Sequence, residues 1–463
     1  MTHIWRAGVT AAFLSGIILT GCSPSAEAPL YDFIPADAVV IKNINLSQLL
    51  KDAESPDPIA DGDSLTSMAR ALTDLCVEPD FREVFSNALR AREHADFSRL
   101  MSFTTSSGRS LIVFPLNAPE AFINTIDRGA GASMERGYII VNSGDMTVAV
   151  KDNKCWIARS LDDIEEANHS AEANHIGTMP AIKQFVSSDA AANVAVNCGK
   201  SSLSYLGDAD KWLCVSLKVS PQSVSARGVV MNRDGRVDSI GANFREIDTN
   251  FLRYTPSDAP VVLAFGKFSG NVRALSFLLG RFAPVYLSQA SGTTSLYALP
   301  AGSAKAVAEH APGSWNVETM VQVPQDVLRE GLEEYMTGSG YPVTSIGDNQ
   351  WTYSTGDDHY YFGAFDGALA FASNREISAD YNNDFTEDFL GKRAAMVINI
   401  PDGSVLCNAW KLPCGLCFKV AVEATQWKAR ISFYGNRSSA LATLLTLPML
   451  PDYSARFNEA TAL

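Results

Sequence analysis

The second half of this chain replays its first, and that repetition restricts the fold more than any single motif does. Asp37-Ala38-Val39-Val40 returns as Asp258-Ala259-Pro260-Val261-Val262, each opening an apolar strand that leads to a helix. Ser107-Gly108-Arg109-Ser110-Leu111 returns as Ser291-Gly292-Thr293-Thr294-Ser295-Leu296. The turn Asp152-Asn153 with Cys155-Trp156-Ile157-Ala158 returns as Asp366-Gly367 with Leu369-Ala370-Phe371-Ala372. Leu213–Val219 returns as Leu416–Val422, pairing Cys214 with Cys417. The matches keep one order while their spacing drifts, as happens when loops change length around a repeated unit. The expectation is an α+β protein: two tandem copies of an antiparallel sheet partly covered by helices, at residues 31–250 and 256–447, with a tail at 448–463. Val321–Met336 reads as a strand and amphipathic helix inserted into the second copy.

Size and composition agree with two domains. The chain has 463 residues, more than the roughly 250–300 that a single core sustains. Hydrophobic residues make up 46%, enough for filled cores, and the charged content of 19% suits sheet better than solvated helices. The net charge is −14, which loss of Arg6 with a leader would take to −15. Such a surface is a poor match for nucleic acid, whose phosphates need basic side chains. It would also be repelled by anionic headgroups.

Between copies the pattern is readable in detail. Strands are expected at Ser110–Leu116, Gly137–Asn142, Met146–Lys151, Lys154–Arg159, Asn193–Asn197, Trp212–Ser220 and Ser223–Asn232. Asp234-Gly235 is expected to turn the last of these into a further strand, Arg236–Phe244. Helical spacing covers Leu65–Leu75 behind Ser64 as cap, Phe81–Leu89 after Pro79, a stretch from Leu161, and Pro180–Val186.

The start of the chain carries an address. An apolar run from Ala11 to Leu19 is too short for a stable bilayer-crossing helix and ends in Leu19-Thr20-Gly21-Cys22. This resembles the processing site of bacterial lipoproteins. The resemblance implies a signal peptide at 1–21, lipidation of Cys22, a linker at 22–30, and a place at the outer membrane. The Ile34-Pro35-Ala36-Asp37-Ala38-Val39-Val40 opening, the Asp96-Phe97-Ser98-Arg99 step and the Pro115–Ile126 passage are similar to uncharacterised bacterial lipoproteins carrying a duplicated domain of unknown function. That likeness implies an exported, anchored α+β protein and brings no catalytic residues.

Candidate chemistry is sparse. Gly62-Asp63-Ser64-Leu65 spells an esterase nucleophile block, but the last histidine, His359, has Gly356 three positions before it where that family needs Asp. Six histidines do not form a metal-ligand spacing, and Asp357-Asp358-His359 reads equally as an acidic turn. No metal or cofactor is therefore expected. Cys414-Gly415-Leu416-Cys417 has the spacing of a redox dithiol or half of a zinc site, but such redox pairs open a helix and Leu416–Glu423 reads as a strand, so the structural readings lead: a disulfide of Cys407 with Cys414 or Cys417, or buried thiols. Asn197 and Asn399 close equivalent strands. Aromatic strands at Trp351-Thr352-Tyr353 and Tyr360-Tyr361-Phe362 are the best contact-surface candidates, with Trp351, Tyr353, Tyr360 and Tyr361 as the residues to examine. The function expected is binding or scaffolding of a protein, glycan or lipid in the envelope. The alternatives are a carrier of an apolar ligand and a hydrolase with an unrecognised site.

Overall fold

The computed structural model describes residues 30–60, 65–127, 131–201, 203–241, 244–266, 304–311, 314–322, 342–365, 368–374, 376–378, 385–409, 411–435 and 437–447. It is a mixture of helices and antiparallel sheet. Two compact units are formed, and they are drawn differently from the expected halves. The first takes the described residues up to Asp238 and those from Lys428 onward; the second is Ser239–Trp427.

In the first unit the strands are β1 (Val40–Ile44), β2 (Leu100–Thr104), β3 (Ser110–Pro115), β4 (Ser133–Glu135), β5 (Tyr138–Ser143), β6 (Met146–Lys151), β7 (Lys154–Ala158), β8 (Ala192–Asn197), β9 (Lys211–Ser220) and β10 (Ser223–Asn232). They lie in the order β4-β5-β6-β7-β3-β2-β1-β8-β9-β10, every pair antiparallel. The sheet is buried on both faces at its centre, which is why β3 reads Leu-Ile-Val-Phe without alternation. Leu111 and Val113 join a core with Ile41, Trp156, Ile164 and Trp212, under the helices Leu161–Ala173 and Pro180–Val186. On the opposite face Phe114 meets Phe97 and Phe122, and Phe97 meets Phe85, under the helices Arg82–Arg90 and Pro119–Asp127. Burying each such side chain contributes about 1.5–3 kcal/mol.

The second unit holds β11 (Val261–Phe265), β12 (Ala304–Ala311), β13 (Ser314–Gln322), β14 (Thr344–Gly347), β15 (Gln350–Thr355), β16 (Asp358–Phe365), β17 (Ala368–Ser373), β18 (Ala394–Ile400) and β19 (Gly415–Val422). Their order is β14-β15-β16-β17-β13-β12-β11-β18-β19, again antiparallel throughout. Shifted by ten, these are the first nine strands of the other unit in the same order. The core collects Val262, Met320, Phe365, Phe389, Ala395 and Val397 around the small residues Ala368, Ala370 and Ala372.

The register agrees residue by residue at the centre. Val40 pairs with Val196, and Asn197 N donates to Val39 O (2.8 Å). Val261 pairs with Ile398, and Asn399 N donates to Pro260 O (2.8 Å). Asn197 stands opposite Trp212 and Asn399 opposite Cys417. The expected match of Cys214 with Cys417 is therefore out by two residues. A two-residue slip keeps every side chain on its face, so the apolar pattern alone could not reveal it.

Several expectations are corrected. Among the described residues of Arg236–Phe244 no strand of the sheet forms: Asn232 Oδ1 accepts from Asp234 N and Arg236 N, and Met231 makes one bridge to Val237. The open edge of β10 is taken instead by β20 (Trp427–Tyr434). The following helix, Ala440–Thr446, also belongs to the first unit, where Ala440 N donates to Pro221 O (2.9 Å). The helix Ser67–Cys76 is capped by Thr66, whose Oγ1 accepts from Ala69 N (3.2 Å); Ser64, the expected cap, lies outside the described residues. Val321 lies in β13, one residue before its end; the rest of the expected insertion Val321–Met336 beyond Gln322, and residues 291–296, lie outside the described ones.

Candidate functional site

The aromatic strands predicted as a contact surface form one hairpin. β15 and β16 are joined by Gly356-Asp357, with Gly356 at φ +63°. Glycine at the first central position is what the tight turn between twisted strands requires. From that turn the register follows: Tyr353 lies opposite Tyr360 and Trp351 opposite Phe362. Alternation then places all four rings on one face. Tyr353 and Tyr360 stack with centroids 5.0 Å apart at 20°, and Trp351 and Phe362 at 5.7 Å and 22°. Gly363 lacks a side chain because a Cβ there would lie 2.5 Å from Asn349 O.

Burial divides the row. Phe362 is buried, while Trp351, Tyr353 and Tyr360 are half-buried. Tyr361 points to the other face, packs against the second unit's core and is also half-buried.

The hairpin end is polar. Ser354 Oγ and His359 Nδ1 are 2.8 Å apart across the strands, both exposed. Asn374 Oδ1 accepts from His359 N (2.8 Å), and Asn374 Nδ2 donates to Asp358 Oδ1 (3.2 Å). In the sequence the Asp357-Asp358-His359 run stands out, whereas Ser354 and Asn374 do not. Ser354 and His359 sit at mirrored distances from the Gly-Asp turn, and that signal could have paired them. Among the described residues no carboxylate holds the second ring nitrogen, as a nucleophilic triad would need.

The first unit contains the same hairpin with different contents. β5 and β6 are joined by Gly144-Asp145, with Gly144 at φ +60°. Counting outward from the turn, Val141 and Val148 occupy the positions of Tyr353 and Tyr360, and Ile139 and Val150 those of Trp351 and Phe362. Val141, Val148 and Val150 are buried. The polar pair persists as Asn142 and Thr147, whose Oγ1 donates to Asn142 Oδ1 (3.3 Å).

The other candidates do not assemble a site. Residues 61–64, which hold most of Gly-Asp-Ser-Leu, lie outside the described ones. Among the described residues no His, Cys, Asp and Glu grouping suits a metal ion. No described helix is long and apolar enough to cross a membrane, and Cys22 lies outside the described residues. In this structure Cys407, Cys414 and Cys417 are free, buried thiols rather than bridged. The Cys407 thiol is directed at carbonyls, 3.8 Å from Leu412 O and 3.6 Å from Cys414 O. Burial pushes the Cys414 thiol up, Cys155 and Cys214 well up, and Cys76 to about 12, so these sulfurs are poor nucleophiles.

No family model and no curated protein matches the chain. Two solved structures of TP0453, in crystal forms I and IV, align with 44% and 43% of this chain and 80% and 79% of their own. Sequence identity is 9% in both, with TM-scores of 0.28 and 0.27. A likeness at that level assigns neither fold nor function.

Proposed function

We propose that this chain is a lipid-anchored binding module of the outer membrane, built from two copies of one α+β unit, with the β15–β16 hairpin as its contact face. The Leu19-Thr20-Gly21-Cys22 stretch supports the anchor, and the shared strand order and central register support the duplication. The tenth strand of the second copy is then β20, lying in the first unit beside β10. One observation carries the contact face. The turn-anchored positions that hold buried Val141 and Val148 in one hairpin hold half-buried, stacked Tyr353 and Tyr360 in the other. The fold closes with valines there, so the rings are surplus to its needs, and aromatic side chains dominate contact energetics.

Two measurements test this. Cys22→Ala should abolish lipid labelling and release the protein to the soluble exported fraction. The released chain should still co-sediment with isolated envelope fragments. Replacing Trp351 by Ile and Tyr353 and Tyr360 by Val should cut that retention at least about tenfold, the effect of losing one or two hot-spot side chains. Retention unchanged by the triple substitution would sink the contact-face reading.

A further inference from the structure

The two units also differ along one line across the sheet. In the first, Asn43, Asn193, Ser216 and Arg227 stand opposite one another on β1, β8, β9 and β10. Opposite residues share a face, so the four form one polar row. It lies on the face of Ile41, Ala195, Cys214 and Val229, each two positions away on its own strand. Asn43 Nδ2 and Asn193 Nδ2 donate to Val186 O, at 2.7 and 3.4 Å, and so hold the last residue of the helix Pro180–Val186. Asn193 and Ser216 are buried, and the row ends at half-buried Arg227. The register of the second unit puts Ala264, Ala395 and Ala421 at the places of Asn43, Asn193 and Ser216. The same sheet forms there with methyl groups, so the polar row is not a requirement of the fold.

Arg227 Nε is buried without an acceptor, and among the described residues its side chain meets no carboxylate. A desolvated N–H without an acceptor is a net cost, which a bound oxyanion would remove. Lys218, exposed and two positions along β9 from Ser216, lies on the same face, diagonally across from Arg227. Such diagonal Cβ atoms are roughly 7–8 Å apart, a gap that two long side chains close around one small anion. Lys218 also has no ion pair among the described residues. Asp189, in the turn that Ala191 N ties to Leu217 O (3.1 Å), pairs with neither cation. At the place of Lys218 the second unit has Glu423, paired with Lys392 Nζ (2.7 Å). The adjacent strands β9, β10 and β20 together carry five Lys and Arg residues and neither Asp nor Glu, in a chain of net charge −14.

We propose that Arg227 and Lys218 bind the phosphate group of a phosphomonoester, either a small soluble molecule or a lipid headgroup. Guanidinium offers a planar fork to two oxygens, and the ammonium a point charge to a third. A terminal phosphate carries about −1.5 to −2 at neutral pH and answers both cations, where a carboxylate would answer one. The site belongs to the first unit and does not involve the β15–β16 hairpin.

The test uses the released Cys22→Ala chain, with glycerol 3-phosphate followed by calorimetry and phosphatidylcholine vesicles with or without phosphatidic acid followed by flotation. Saturable binding is expected of glycerol 3-phosphate, of the phosphatidic acid vesicles, or of both, and the two arms tell a soluble source from a headgroup. Arg227→Met should weaken that binding at least about tenfold, the loss of a charged hydrogen-bonding group. It should leave the melting temperature in place, since no internal partner is lost. Lys218→Glu, which installs the second unit's residue, should also weaken binding at least about tenfold, because it sets like charges together. Lys211→Gln removes a charge from the opposite face of β9 and should leave binding unchanged. No saturable binding of either probe, or binding equal in wild type and the Arg227 and Lys218 variants, overturns the proposal. So does binding lost as fully in Lys211→Gln, or a fall in melting temperature with Arg227→Met that reveals an internal partner.

Discussion

The β5–β6 and β15–β16 hairpins share a Gly-Asp turn, a cross-strand register and a polar pair beside the turn, yet one is sealed and the other is not. In the first, Val141, Val148 and Val150 vanish into the protein. In the second, Trp351, Tyr353 and Tyr360 stack on one another or on Phe362 and remain half-buried. The backbone solution is thus independent of what the face carries. A turn and a ladder of hydrogen bonds set the register, and the face is then available either for core packing or for recognition.

The comparison can be broken most sharply with a charge. Val148→Asp buries a carboxylate among Val141, Ile157 and their neighbours with nothing to pair it. It should cost upwards of about 4 kcal/mol and unfold the first unit, read by urea denaturation. Tyr360→Asp, at the matching position, should cost less than about 2 kcal/mol because water reaches the site. Equal losses would mean that the two faces are equally closed. A smaller effect tests what the hairpins share. Gly144 and Gly356 both adopt φ near +60° with open space where a Cβ would go. Alanine at either should cost about 1 kcal/mol, and the two penalties should agree, since only backbone strain contributes. The polar pairs should split in the same way, with the least effect of all at the exposed one. Ser354→Ala removes an exposed hydrogen bond and should change stability by no more than about 0.5 kcal/mol. Thr147→Ala, at a buried position, should cost about 1 kcal/mol.

Much of the architecture was readable from residue order. Met146–Lys151 and Ser223–Asn232 form strands over the predicted residues, because alternating or continuous apolar runs bounded by Asp-Asn, Asn-Arg-Asp-Gly or Gly-Asp turns have few other solutions. The pairing of Trp351 with Tyr353 on one face, and Tyr361 on the other, followed from strand alternation alone. These are local properties, and local chemistry enforces them.

Long-range partners were a different matter. Nothing near Arg236 announces that the edge of β10 will be claimed by Trp427–Tyr434, about two hundred residues away in sequence, and the extra strand expected there fails for that reason. The two-residue slip between Cys214 and Cys417 is invisible to an apolar pattern of period two and appears only when Asn197 and Asn399 are seen at the same hydrogen bond. Ser354, His359, Asn374 and Asp358 come together because three strand ends meet at one edge, a coincidence in space rather than in sequence. The sequence alone established strands, turns and faces, because each depends on neighbours a few residues apart. Which strand lies beside which, and which face stays open to solvent, depends on packing between distant segments and emerged only when the chain was folded.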